Sequence, residues 1–362
     1  MKKSIRVALL LIFASFTSFT FAQKSKFSFN EVYKVSDSPS LEVTGSDGNI
    51  AVFPSEKNEI EVFFIVERNK EVLDITRSEL EEEFTIEISS GKDFLRISVK
   101  ERFQYRMIDW RDRINVSFEI YTPFKTMTDL HTSDGNIDVR GLIADQKLYT
   151  SDGNIYVSKI NGRVNARTSD GDIIINRVNG DVEPVTSDGD IELTQVEGNV
   201  DGRTSDGDAD IRGVKGDVNM VTSDGNLTGE DIIGDAKLRS SDGDIRLLQS
   251  NGKMTLNTSD GNITFRDLKG SLSARTSDGQ IKGNMLRLDD NLELRTSDGG
   301  IAVTVPNNQG LDLLLRGETI RTQLDNFSGT AKDHLVEGQI RGGGKLVSLH
   351  ASDGTVSLSY ME

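Results

Sequence analysis

A carboxylate returns at one fixed interval along this chain: Asp134, Asp152, Asp170, Asp188, Asp206, Asp224, Asp242, Asp260 and Asp278 each sit inside a Ser-Asp-Gly triplet. Two residues further on, a second column holds Asp172, Asp190, Asp208 and Asp244 alternating with Asn136, Asn154, Asn226 and Asn262. If successive repeats stack, these columns become lines of oxygen, and a hard cation takes about six to eight oxygens at about 2.3–2.6 Å. Calcium is the functional reading, with Asp170, Asp172, Asp188, Asp190, Asp206 and Asp208 as candidate ligands, where both columns carry aspartate. The structural reading is turn chemistry. Asp and Asn bond the backbone of their own turn and glycine tolerates its torsions. At a rung spacing of about 4.8 Å, neighbouring aspartates repel by about 1 kcal/mol in water and about 3–4 kcal/mol at an effective dielectric near 20. Arg167, Arg203, Arg239 and Arg275, two residues before the serine in every second repeat, are placed to share that charge. The Gly-Gly-x-Gly-x-Asp nonapeptide of calcium β-rolls is missing, which favours the turn reading.

Paired carboxylates in one outward column would be the machinery of a glycoside hydrolase, whose retaining form needs the two about 5 Å apart. Glu192 with Asp210 and Glu183 with Asp201 are such pairs, but a chain that is 28% charged generates them freely and no aromatic sugar platform adjoins them. His131, His334 and His350 share no metal spacing. Serine in nine consecutive repeats reads as turn chemistry, since a nucleophile needs a placed base and an oxyanion hole. Phe103, Tyr105 and Trp110, beside Arg111-Asp112-Arg113, form the one nonrepeated aromatic and arginine cluster, suited to a contact surface or to the core of a cap. No catalytic residue and no cofactor besides calcium is suggested.

The elements that must carry these columns follow from the same ruler. The fourth residue after each serine reads Ile137, Ile155, Ile173, Ile191, Ala209, Leu227, Ile245, Ile263 and Ile281, and two residues on the column is again mostly apolar. That alternation is a half-buried strand. A second strand is marked by Val164, Val182, Val200, Val218, Ala236, Met254 and Leu272, after a second turn with Gly162, Gly180, Gly198, Gly216, Gly234, Gly252 and Gly270. Threonine before the serine, from Thr150 to Thr276 with Ser240 as the one substitution, is in phase to point inward as a hydroxyl ladder. Two strands and two turns in a whole, unidirectional period describe an all-β fold, a single-stranded parallel β-helix or solenoid of 18-residue coils, with right-handed winding expected.

Outside the ruler the chain changes character: 14 of its 23 aromatic residues lie in residues 23–130, which predicts a separate, bulkier core there. The reading is a signal peptide over residues 1–22, a β-rich cap and opening coils over 23–130, the regular solenoid over 131–300, and irregular closing coils with a cap over 301–362. The signal rests on Lys2, Lys3 and Arg6, an apolar run and Thr20-Phe21-Ala22. Its removal takes those three positive charges with it, so the formal charge moves from −16 to about −19. So acidic a surface argues against nucleic acid and anionic lipid as partners. The mature chain is expected to be exported, to the periplasm, cell surface or medium, without a transmembrane segment. With no cysteine, disulfides, thiolate catalysis and cysteine-rich zinc sites are excluded.

Coils of the form Thr150-Ser151-Asp152-Gly153-Asn154-Ile155, behind a secretory signal and with a second glycine turn, resemble the bacterial putative-adhesin family of envelope β-solenoids, a domain-of-unknown-function group, over residues 41–360. The resemblance implies an envelope or surface location and an adhesive or scaffolding role, and it supplies no catalytic residues. The expected function is a nonenzymatic binder of envelope or surface protein or glycan. The alternatives are an extracellular polysaccharide-active β-helix enzyme and a calcium-stabilised extracellular structural protein.

Overall fold

The computed structural model describes residues 27–102 and 114–361. The signal segment and the Phe103 to Arg113 cluster lie outside the described residues. Apart from one short helix, the ordered elements are strands.

Alternation decides the architecture. In strand Ile173–Asn179, Ile173 and Ile175 are buried while Ile174 and Asn176 face outward, and the same holds rung after rung. Each such strand pairs in parallel with its counterpart in the next repeat, as in Ile155↔Ile173↔Ile191↔Ala209. The second face stacks likewise, through Val164↔Val182↔Val200↔Val218↔Ala236. Every rung thus buries its aliphatic columns only against its neighbours, each side chain contributing about 1.5–3 kcal/mol.

Each coil also has a corner that the two-strand reading did not contain. Lys159, Arg177, Gln195, Asp231, Gln249 and Asp267 all adopt left-handed backbone, with φ between 48° and 59°, and Gly213 occupies the same column at φ 66°. One such residue breaks the alternation, so that Ile160, Val178, Val196, Val214, Ile232 and Leu268 turn inward as another apolar column.

The Ser-Asp-Gly turns form one continuous stack. Ser151 N–H donates to the Ser133 carbonyl at 2.8 Å, and the pattern repeats to Ser277. The stack extends beyond the nine regular copies: Ser133 N–H reaches the Ser46 carbonyl at 2.6 Å, Ser297 N–H reaches Ser277 at 3.0 Å, and Asp353 N–H reaches Ser297 at 2.9 Å. Twelve turns at about 4.8 Å give a rod about 53 Å long. The threonines face inward beneath them. The Thr186 hydroxyl donates to the Ser169 carbonyl at 3.1 Å and the Gly171 carbonyl at 3.0 Å, and accepts from its own turn's Gly189 N–H at 3.3 Å.

Both ends close with antiparallel strands. At the start, Phe29–Lys34 and Ile114–Pro123 both pair antiparallel with Glu59–Arg68, and Phe84–Ser90 pairs antiparallel with Phe94–Glu101. Phe64 anchors this end, stacked on Phe29 at 4.5 Å and edge-on to Phe118 at 5.4 Å. The one short helix, Arg77–Glu83, also belongs to this end and is opened by a capping box between Thr76 and Glu79. At the far end the rung from Ser277 to Ser297 is longer than its predecessors, and its extra chain shifts the register within Ile281–Thr296. Lys345–Ala351 then pairs with Leu292 to Thr296 and brings Ser352-Asp353-Gly354 onto the stack, although a long excursion of chain separates Ser297 from Ser352. The intervening chain forms Leu311–Arg316, Phe327–Lys332 and Leu335–Ile340, paired antiparallel as a closing ribbon. No helix among the described residues is long and apolar enough to cross a membrane.

Candidate functional site

The second aspartate and asparagine column is an inter-rung ladder. Asn154 Oδ1 accepts from Asp172 N–H at 2.7 Å, Asp172 from Asp190 at 3.0 Å, Asp190 from Asp208 at 2.8 Å, and Asp208 from Asn226 at 2.7 Å. The ladder starts at Asn49 and ends on Gln280 N–H. A shorter ladder runs up the glycine turn through Asp181, Asn199, Asp217 and Asp235. Asp172, Asp190 and Asp208 therefore each commit one oxygen to a backbone amide of the next coil, not of their own turn. The triplet aspartates Asp170, Asp188 and Asp206 are exposed, and their side chains take no hydrogen bond or ion pair among the described residues. Two of the arginines expected to serve them bond elsewhere. Arg167 donates to Asn165 at 3.1 Å, and Arg275 pairs with Glu293 at 3.2 Å along the strand face. Among the described residues no three His, Cys, Asp or Glu side chains gather as a metal-binding group.

The carboxylate pairs are where rung geometry puts them, and three of the four carboxylates, all but Glu192, are bonded to a neighbour. Glu192 and Asp210 are direct neighbours in register, and Asp210 is bound by Arg212. Glu183 accepts from Asn165 at 2.9 Å and Asp201 from Asn219 at 2.7 Å. His131 stacks on Tyr149 at 4.7 Å and meets Asp129 at 2.7 Å, far along the chain from His334 and His350.

What the stack offers instead is surface in lines. The left-handed corner borders a groove of about 520 Å³, floored by Ile160 and Val178 and walled by Lys159, Arg177, Gln195 and Lys215. Inside it Lys215 and Glu197 pair at 2.7 Å. That hydrogen bond holds the Glu197 carboxyl below its ordinary range and the Lys215 ammonium above its own. The corner and its groove were missed from sequence, although Ile160, Val178, Val196, Val214 and Ile232 recur once per repeat, out of phase with the strand alternation, which was the available signal.

No curated protein matches the chain. Among solved structures it is similar to a putative cell adhesion protein from Clostridium sporogenes, at 8% identity over 92% of this chain and 99% of that one, with a TM-score of 0.19. It is also similar to a putative adhesin from Bacteroides fragilis, at 15% identity over 76% of this chain and 96% of that one with a TM-score of 0.26, and to one from Parabacteroides merdae, at 15% over 76% and 95% with a TM-score of 0.32. At those scores the likenesses carry no argument. The family model described as Toastrack DUF4097 matches residues 19–215 and 201–359, in two overlapping passes that take in both ends of the stack, and the chain belongs to that family.

Proposed function

We propose that this protein is a nonenzymatic component of the cell envelope or surface, exported by its N-terminal segment, that binds envelope protein or glycan through the repeated faces of its solenoid. The observation that carries the reading is the register: outward residues such as Tyr156, Ile174, Glu192 and Asp210 form one line with a spacing of a single rung. Such lines suit many weak contacts that add by avidity. A hydrolase would require an irregular cleft that gathers free carboxylates, whereas Glu183, Asp201 and Asp210 are each bonded to a neighbour.

The test shortens the ruler. Deleting residues 169–204 removes two whole periods and joins Thr168 to Ser205 in phase. On glycan arrays and on whole cells, the mature chain is expected to bind, and the shortened chain to keep its fold while dissociating at least about tenfold faster. Equal dissociation of the two, or no binding to any envelope preparation, would defeat the proposal.

A further inference from the structure

One face of the coil changes its charge halfway along. In the earlier rungs its two outward columns carry Asp138, Glu192, Asp210 and Glu230 against Arg140 and Arg212. Both arginines are neutralised there, Arg140 by Asp138 and Arg212 by Asp210, with Glu230 also within 3.9 Å. In the later rungs the first column runs Arg246, Thr264, Lys282, Ala302, Ser357 and Arg321, and the column beside it brings Arg266. Neither column holds a carboxylate in that half. The side chains of Arg246, Lys282 and Arg321 are exposed and make no ion pair or hydrogen bond among the described residues, and that of Arg266 has only Asp267 at 4.0 Å. Four basic side chains collected on a chain of net charge −16 are a local field opposite to the rest of the surface.

The same stretch is concave. A depression of about 540 Å³ lies over Ala302, whose methyl is the only side chain in its place on the outward column, and Thr264, Thr304, Ser357 and Ser359 ring it with hydroxyls beside Arg266 and Lys282. Guanidinium forks meet carboxylate and phosphate two bonds at a time, and an ammonium adds a point charge. Arg246 and Lys282 are two rungs apart, about 10 Å. Thr264 lies between them and the hydroxyls of Thr304, Ser357 and Ser359 lie beyond Lys282, donors and acceptors for a polyhydroxy ligand.

We propose that this basic half-face is a binding site for an acidic saccharide chain lying along the solenoid axis. Arg246, Arg266 and Lys282 meet its carboxylates or phosphates, and the threonine and serine hydroxyls meet its sugar hydroxyls. The one aromatic residue lining the depression, Phe265, is buried and offers no face on which bases would stack, and the acidic remainder of the chain repels a long polyanion, so a single-stranded nucleic acid is disfavoured. The site rests on the binding reading above, and its test separates the two.

The mature chain is titrated with oligogalacturonate, its neutral methyl ester, a phosphorylated mannan oligosaccharide and single-stranded DNA. The first or third is expected to bind at least about tenfold more tightly than the ester or DNA, and to weaken as salt is raised. The comparison of oligogalacturonate with the phosphosaccharide decides which anion is recognised. R246Q/R266Q/K282Q is expected to lose at least about tenfold in affinity with an unchanged melting temperature, as exposed outward residues allow, and R140Q/R212Q to bind as the parent does. K282Q alone reports a partial loss in a chain with a single exposed change. Tight binding of the ester or DNA, or full binding by the triple variant, overturns the site. A chain that adheres to envelope preparations while ignoring every acidic saccharide also loses the site, but keeps the function proposed above.

Discussion

Two corners of each coil look alike in a diagram and differ in physics. At the Ser-Asp-Gly corner every rung has glycine, yet none of these glycines has left-handed backbone. At the other corner the backbone is left-handed in every rung from Lys159 to Asp267, yet only Gly213 is a glycine. The clash geometry resolves the contrast. A Cβ built on Gly189 would stand 1.9 Å from the Gly171 carbonyl oxygen, whereas one on Gly213 would meet nothing nearer than 3.8 Å. Recurrent glycine here marks backbone packed on backbone between rungs, and torsional demand alone does not select it.

The largest effect that would break this comparison is expected at the crowded corner. Gly189→Ala must push two rungs apart, since the obstructing atom belongs to the main chain, and it should cost about 3 kcal/mol or more in urea denaturation. A loss under about 1 kcal/mol would show that the rungs absorb the contact and that it does not select glycine. Next comes the hydroxyl beneath the same turn. Thr186→Val keeps the shape but leaves the Gly189 N–H without its acceptor and the Gly171 carbonyl without its donor, while the Ser169 carbonyl keeps the N–H groups of Ser187 and Asp188, for an expected loss of about 1–3 kcal/mol. Thr186→Ser should cost far less, because Ser240 already makes the same bonds, to the Ser223 carbonyl at 3.1 Å and the Gly225 carbonyl at 3.0 Å. Equal losses for Val and Ser would show that packing of the methyl group, not hydrogen bonding, holds the ladder.

How much of this was legible in the sequence depends on whether a feature repeats and whether its cause is local. The inward lines through Ile155 and Val164 and the threonine ladder follow from period and alternation, so they could be read directly. The left-handed corner could not be read from residue type, because Lys159, Arg177, Gln195 and Asp231 have no torsional preference in common. Only the phase of Ile160 and Val178 betrays it. Local turn rules assign the carboxylate ladder to the wrong bonds for a related reason. The Asp172 side chain and the Asp190 amide, one full repeat apart, become neighbours only after stacking, while those rules describe bonds within one turn. The basic half-face emerged from placement, since Arg321 and Ser357 join the column of Arg246 only through the closing strands.

The smallest effects sharpen the comparison from the other side. With nothing in the way, Gly213→Ala pays only for an L-residue in left-handed backbone, about 1–2 kcal/mol, offset by the about 0.5–1 kcal/mol that glycine loses in freedom on folding. A net loss of about 1 kcal/mol or less is expected, well below that of Gly189→Ala. The reverse change, Arg177→Gly, relieves φ 59° and should raise stability by about 0.5 kcal/mol, reduced by the lost bond from Arg177 to Asn176. Denaturation midpoints of the three variants measured side by side give the ranking. If Gly213→Ala proved as costly as Gly189→Ala, the rung-to-rung carbonyl contact would not set the Ser-Asp-Gly corner apart and would lose its role in setting the repeat.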